Sequence, residues 1–185
     1  MALTKTPVCD FGKKAEDFKL KSIENKIISL NDVIGEKATL IMFICNHCPY
    51  VKAIIRDLAL DCNELKKDGI NSVAIMSNDT KNYPEDSFEN MIKFADTNNF
   101  GNINYLFDET QEIAKKYGAV CTPDFFGYDK DLKLQYRGRF RELKDLKPIN
   151  NGDSDLKVAM KMVALTQKGP DQQIPSMGCN IKWFN

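Results

Sequence analysis

The feature that most constrains this chain is an uninterrupted apolar stretch, residues 38–44, that ends directly at a cysteine. The stretch carries no charge and is rich in β-branched residues, which is typical of a strand buried on both faces of a sheet. Cys45-Asn46-His47-Cys48 follows, and apolar side chains then recur at helical spacing over residues 51–65. The sequence therefore predicts a central strand, a short dithiol segment and a helix in direct succession.

A Cys-x-x-Cys segment at a strand-to-helix junction is typical of a redox dithiol. The first backbone N–H groups of a helix lack partners and carry partial positive charge, which favours thiolate over thiol. We expect Cys45 to be the ionised nucleophile. Cys48, three residues later, would resolve the mixed disulfide that Cys45 forms with a substrate.

The helix terminus alone supplies only ~0.3–1 kcal/mol, up to ~2 kcal/mol when partly buried, so a second stabilising group is expected. His47 is the candidate, since it is the single histidine of the chain and lies inside the motif. Its protonated ring would stabilise a nearby thiolate. The alternative is an exposed side chain at the start of the helix.

The composition is that of an ordinary globular protein: 185 residues, 43% hydrophobic and 28% charged, with a formal net charge of zero. We expect one domain over residues 1–169, with a loosely defined N-terminal extension at 1–16 and a tail at 170–185 packed on it. The balanced charge favours neither nucleic acid nor a membrane surface. Neither a signal peptide nor a run of ~20 apolar residues is present, so a cytoplasmic location is expected.

The four other cysteines lie far from the motif in sequence, and a reducing compartment argues against structural disulfides. Cys62 falls on the apolar face of the predicted helix and is expected to be buried. Cys121 is expected to point into the core, with the dithiol site as the alternative, and Cys9 is given no role. Cys179 lies in the tail, which either packs passively with Trp183 as its anchor or brings a third redox cysteine to the dithiol.

The rest of the sequence alternates between strand and helix patterns. Predicted strands lie in 17–34, at 70–76, at 105–107, and at 124–128 and 132–137 around a turn. Predicted helices begin at 82–86, at Asp108 and at 154. The cluster at 83–88 is interpreted as helix initiation, with a lining of the dithiol cleft as the alternative. The order predicts an α/β fold whose mixed sheet has helices on both faces, with an N-terminal strand extension and a non-helical tail.

These motifs together resemble the thioredoxin fold, and in particular its peroxiredoxin-like (AhpC/TSA) group. The match is carried by Cys45-Asn46-His47-Cys48, by 117–123 with its Thr122-Pro123, and by the hairpin that follows. Segments 83–88 and 175–183 strengthen it, and the resemblance spans nearly the whole chain. It implies that Pro123 is cis beside the dithiol. It also implies that the Thr122 backbone faces Cys45 and pairs with an extended substrate segment.

The sequence differs in some positions from the thioredoxin pattern and in others from the peroxiredoxin pattern. No Trp precedes Cys45, and residues 38–44 contain no acidic residue, so the buried carboxylate that assists proton transfer in thioredoxin is missing. In the peroxiredoxin pattern the peroxidatic cysteine corresponds to Cys48, but Cys45 then replaces its threonine. The peroxide-activating arginine is absent from its usual place, so Arg137 or Arg139 would have to reach the pocket.

Three functions remain open from the sequence. The first is a thiol–disulfide oxidoreductase that acts on a disulfide-containing protein or small molecule and is recharged by a dithiol reductant, with no cofactor. The second is a thiol peroxidase with Cys48 or Cys45 as the peroxidatic cysteine. The third is a metal-binding or metallochaperone module, which has soft ligands but no second Cys-x-x-Cys.

Overall fold

The computed structural model describes residues 3–7 and 10–184, so Cys9 lies outside the described residues. The strands are β1 Leu3–Lys5, β2 Lys19–Ser22, β3 Ile27–Ser29, β4 Ala38–Phe43, β5 Ile70–Met76, β6 Asn104–Phe107, β7 Cys121–Thr122, β8 Asp124–Asp129, β9 Leu134–Tyr136, β10 Leu143–Lys144, β11 Lys147–Pro148 and β12 Met177–Asn180. The helices are α1 Leu30–Val33, α2 Pro49–Lys67, α3 Phe88–Thr97, α4 Glu112–Tyr117 and α5 Asp155–Thr166, with a 3₁₀ turn at Pro84–Asp86.

A seven-stranded mixed sheet forms the centre of the fold, in the order β3-β2-β6-β5-β4-β8-β9. Strands β4, β5 and β6 run parallel, and the other pairs are antiparallel. Strand β4 lies between β5 and β8 and is buried along its whole length, as the apolar stretch predicts. The dithiol therefore follows a central strand that is completely buried.

Two hydrophobic cores lie on opposite faces of this sheet. One contains the inward faces of α2, α3 and α5, together with Cys45, Cys48 and Cys179. The other contains those of α1 and α4. Alternate residues of β4 enter the two cores, because successive side chains of a strand point to opposite faces. The predicted α/β fold with helices on both faces is confirmed.

The C-terminal tail adds a second, smaller sheet beside the dithiol. Strand β12 pairs antiparallel with β1 on one side and with β7 on the other, so that Cys179 lies opposite Thr122. The tail is non-helical, as expected, but its anchor is not Trp183, whose side chain is 37% exposed. Ile181 and Lys182, 1% and 7% exposed, occupy the buried positions instead.

One local prediction differs from the structure. The segment opened by Pro84 is a single 3₁₀ turn, and α3 begins only after Ser87, whose side chain accepts a hydrogen bond from the Asn90 N–H. Strands β10 and β11 form a small separate hairpin. In the part of the chain that is described, no helix is long and apolar enough to cross a membrane.

Candidate active site

The dithiol segment is an irregular loop between β4 and α2. Pro49 takes the first position of the helix, where its missing N–H has no partner to lose, and Cys48 is the N-cap residue. Cys45 therefore lies in the loop, three residues before the N-cap, and both cysteines are fully buried. It is the second sulfur, rather than the first as the sequence analysis expected, that lies at the free N–H groups.

The Thr122–Pro123 peptide bond is cis, as the resemblance implied, and it packs against both cysteines. The Thr122 hydroxyl oxygen lies 3.3 Å from Cys45 Sγ, and the Thr122 carbonyl oxygen lies 3.1 Å from Cys48 Sγ. Thr122 thus contacts each sulfur through a different oxygen. The resemblance implied that the Thr122 backbone faces Cys45, but the Thr122 carbonyl group faces Cys48.

Cys179 brings a third sulfur to this site from the tail. Its Sγ lies 3.1 Å from Cys48 Sγ, and its side chain is 4% exposed. Cys48 is therefore the central sulfur, since it also forms a hydrogen bond with Cys45. The structure brings together all three cysteines that the sequence analysis connected with redox chemistry.

Hydrogen-bond donors lower the pKa of Cys48 to about 5, from an ordinary value of 9.0. The Cys45 thiol contributes most; burial opposes the shift, and the Cys179 thiol and the backbone N–H groups of Val51 and Cys179 add to it. Such a shift corresponds to about 5 kcal/mol, more than the ~2 kcal/mol that a helix terminus supplies. The partial negative charge of the Thr122 carbonyl oxygen disfavours the thiolate, but the hydrogen-bond donors around Cys48 are more numerous.

The same contacts keep Cys45 protonated. Its hydrogen bond to Cys48, its burial and the negative charge of Asp86 together hold the pKa of Cys45 well above its ordinary value. Within this pair the thiolate is therefore favoured on Cys48 and the neutral thiol on Cys45. The identity of the nucleophile stays a prediction.

His47 forms an ion pair with Asp86, with Nδ1 to Oδ2 at 2.7 Å. The hydrogen bond to Asp86 raises the pKa of His47. Burial raises the pKa of Asp86, but the hydrogen bonds from His47 and Asn78 outweigh it and keep that pKa below its ordinary value. The imidazolium is thus paired with a carboxylate, so it stabilises the Cys48 thiolate less than an unpaired cation would.

Asp86 contacts the dithiol loop, and the sequence analysis did not name it as a site residue. Its Oδ1 accepts hydrogen bonds from the N–H groups of Asn46 and His47, at 2.8 and 3.2 Å, and its Oδ2 accepts one from the Asn78 side chain at 2.8 Å. It is completely buried and fixes the dithiol loop. The structure therefore supplies a buried carboxylate from a segment 40 residues away, although β4 itself contains none.

Tyr83 joins the same cluster, since its ring stacks on His47 at 5.5 Å with an interplanar angle of 9°. The segment at 83–88 therefore both initiates a helix and lines the dithiol, which were presented as alternatives. The only signal in the sequence was an acidic and aromatic cluster next to a proline. Nothing local indicated that Asp86 folds back to residues 46 and 47.

The remaining candidates from the sequence lie elsewhere. Cys62 is buried within α2, as expected, and Cys121 is buried with its Sγ 3.5 Å from the Pro123 carbonyl oxygen. Arg137 pairs with Asp124 at 2.9 Å and packs on Phe126, in the core on the other face of the sheet. Arg139 pairs with Asp155 and Glu142. Both arginines are thus engaged in ion pairs, and Arg139 also lines a groove that ends at Pro123.

One group of potential metal ligands occurs among the described residues. Cys45 Sγ, a ring nitrogen of His47 and a carboxylate oxygen of Asp86 lie within 4.8 Å of one another. Thiolate and imidazole are ligands that Zn²⁺ accepts. Both Asp86 oxygens, however, already accept hydrogen bonds, so the arrangement is complete without an ion and does not add support to the metal-binding hypothesis.

A groove of about 440 Å³ reaches the site from the surface at Pro123. Its walls are largely apolar, with Tyr50 and Ile54 of α2 on one side and Ile174 and Met177 of the tail on the other. This volume is within the range of small-molecule and peptide pockets. Pro123 lines the groove, whereas the buried cysteines do not.

The family model described as AhpC/TSA matches residues 11–137, which include the dithiol loop, the cis-proline and most of the sheet. The chain belongs to the AhpC/TSA family. This membership indicates a thiol oxidoreductase. No curated protein matches the chain.

Two solved structures resemble this AhpC/TSA protein over its whole length. An uncharacterized conserved protein from Geobacillus kaustophilus is 40% identical with a TM-score of 0.94, covering 100% of this chain and 97% of that one. A hypothetical protein from Sinorhizobium meliloti is 36% identical with a TM-score of 0.90, covering 98% of each chain. The thioredoxin domain of a thiol-disulfide oxidoreductase from Bacteroides vulgatus, 18% identical over 70% of this chain and 89% of that one, shares the fold with a TM-score of 0.59.

Proposed function

We propose that this AhpC/TSA protein is a thiol–disulfide oxidoreductase that reduces or exchanges disulfides through Cys45 and Cys48. The observation that supports it most is the meeting of both cysteines at the cis-proline, where Thr122 contacts Cys45 Sγ at 3.3 Å and Cys48 Sγ at 3.1 Å. The thiolate is the attacking form of cysteine, and the neutral partner is a ready source of the second sulfur. The substrate is a disulfide in a protein or small molecule, and a dithiol recharges the site.

The proposed roles follow the electrostatics of the site. The Cys48 thiolate attacks the substrate disulfide and forms a mixed disulfide, and one substrate thiolate leaves. The Cys45 sulfur then loses its proton, attacks Cys48 and releases the second substrate thiol. The two cysteines are oxidised to a disulfide and the substrate is reduced to two thiols, so the electrons balance.

The test is the reduction of insulin disulfides by dithiothreitol, with and without the protein. We expect wild-type protein to accelerate the reaction and Cys48→Ser to show only the background rate. Cys62→Ser is the matched control, because it removes a buried cysteine from the same helix, and it should retain the wild-type rate. A Cys48→Ser variant as active as the control contradicts the proposal.

A thiol peroxidase is the second candidate, because an ionised Cys48 is the attacking species in that reaction too. Two observations weigh against it: Arg137 and Arg139, the arginines proposed to activate the peroxide, are held in ion pairs with Asp124 and Asp155. Stopped-flow oxidation by hydrogen peroxide separates the candidates. A rate constant no greater than that of a free thiol excludes the peroxidase.

A further inference from the structure

Cys48 is in direct contact with a sulfur of the tail. Cys48 Sγ and Cys179 Sγ are 3.1 Å apart, roughly 1 Å longer than the ~2.05 Å of a disulfide bond. Cys179 also lies on a strand whose neighbour β7 supplies Thr122, the residue that contacts both motif cysteines. Only a small movement separates the two sulfurs from a covalent bond.

The tail holds Cys179 firmly in this position. On its N-terminal side the Ser176 hydroxyl donates to the Pro123 carbonyl oxygen at 2.7 Å. On its C-terminal side the N–H of Ile181 donates to the Val120 carbonyl at 3.2 Å, and the N–H of Lys182 donates to Asn78 Oδ1 at 2.9 Å. Cys179 is therefore positioned by hydrogen bonds on both sides.

Gly178 lets the strand approach this closely. A Cβ atom at this position would lie 2.1 Å from the Thr122 carbonyl oxygen and 3.1 Å from Pro123 Cδ, well inside contact distance. A larger residue would push β12 away from β7 and carry Cys179 with it. Gly178 therefore allows the next residue, Cys179, to lie beside the cis-proline.

Strand β12 occupies the edge of β7 at which an extended substrate segment would pair. We propose that Cys179 is a third redox residue, which resolves mixed disulfides on Cys48 by forming a Cys48–Cys179 disulfide. This inference rests on the proposed function, because it requires the Cys48 thiolate to attack a substrate. It adds a second partner for Cys48 besides Cys45.

The step conserves atoms and electrons. Cys48 first carries half of the substrate as a mixed disulfide. The Cys179 sulfur loses its proton and attacks Cys48 Sγ; the Cys48–substrate bond breaks, and the departing substrate thiolate takes up a proton. Burial raises the pKa of Cys179 to about 12, and the positive charge of Lys182 opposes that rise. Cys179 is therefore a neutral thiol, and it loses its proton as its sulfur forms the bond with Cys48.

The test compares Cys45→Ser with the double variant Cys45→Ser/Cys179→Ser, each treated with cystamine, a small disulfide. Attack by Cys48 leaves a cysteamine adduct, which mass spectrometry detects. We expect the adduct to last at least about tenfold longer in the double variant, because the neighbouring thiol that removes it is gone. Cys45→Ser/Cys62→Ser is the matched control and should lose the adduct as fast as Cys45→Ser. Equal lifetimes with and without Cys179 overturn the inference.

Tryptic peptides identify the bond directly. Residues 38–52 carry Cys45 and Cys48, and residues 169–182 carry Cys179. In Cys45→Ser, loss of the adduct should coincide with a covalent link between these two peptides. A double variant that never acquires an adduct contradicts the proposed function instead.

A second readout needs no substrate. Diamide, an azo oxidant that takes up the two hydrogens of a thiol pair, should link the two peptides in a fraction of wild-type molecules. Gly178→Val should reduce that fraction although all three cysteines remain, and Gly152→Val, at a position with no atom within 3.4 Å of the added Cβ, should not. Diamide-treated protein that contains only the loop disulfide within 38–52 overturns the inference.

Discussion

Helix α2 carries two buried cysteines whose chemistry differs completely. Cys48 at its N-cap and Cys62 within it are 0% and 2% exposed. Burial raises the pKa of Cys62 to about 12, and the nearby Ser72 hydroxyl does not compensate. Two thiols and two backbone N–H groups lower the pKa of Cys48 to about 5. The comparison teaches that exposure does not decide whether a thiol is reactive, whereas the donors aimed at its sulfur do.

The largest expected effect is on thiolate content, measured by ultraviolet absorbance against pH. Wild-type protein should show a thiolate transition with its midpoint at about 5. Cys48→Ser should abolish this transition, because the remaining site thiols have pKa values above the ordinary range. Cys62→Ser should leave it unchanged. Loss of the transition in Cys45→Ser with retention in Cys48→Ser would reverse the assignment.

Stability should follow the same difference between the two cysteines. Because the pKa of Cys48 falls from 9.0 to about 5 on folding, the unfolded chain binds more protons in this window. The free energy of unfolding of wild type relative to Cys48→Ser should therefore rise from pH 5 to 9, by at most about 5 kcal/mol, and the gain should be lost as the pH falls through 5.

Urea denaturation at several pH values measures this dependence. The matched control is wild type relative to Cys62→Ser, which should be flat below pH 9, because Cys62 is protonated in both states there. If the free energy of unfolding depended equally on pH in both comparisons, burial rather than the hydrogen-bond donors would control the pKa values of the two cysteines.

A smaller effect is expected at the carboxylate beside Cys45. Asp86→Asn removes the charge that helps to keep Cys45 protonated, so the pKa of Cys45 should fall toward its ordinary value. It also disturbs the hydrogen bonds of the dithiol loop and should cost roughly 1–3 kcal/mol of unfolding free energy. Alkylation rates against pH and urea denaturation measure the two effects. Asp96→Asn, an exposed site on α3, should change neither.

The central part of the fold could be predicted from the sequence because its patterns are long and local. The apolar stretch at 38–44 became β4, and the helical spacing at 51–65 became α2. The cis-proline followed from the resemblance rather than from the residues alone. Pro49 indicates the start of α2, because proline favours the first helical position, which makes Cys48 the N-cap.

The rest of the site depends on long-range contacts that local patterns do not record. Asp86 reaches the loop across 40 residues, and Cys179 reaches Cys48 across 131. Strand β12 has only four residues and includes a glycine, so its own propensity for strand is weak. It forms because β1 and β7 offer two edges with unpaired backbone groups.

The position of β12 between β1 and β7 also bears on how the protein is made. Synthesis proceeds from the N-terminus, so Cys45 and Cys48 emerge from the ribosome long before residues 177–180 are added. The sheet that covers them can close only once that last strand is available. During this interval the two motif cysteines are open to cellular thiols and oxidants, and Cys179 is not yet present to compete for Cys48.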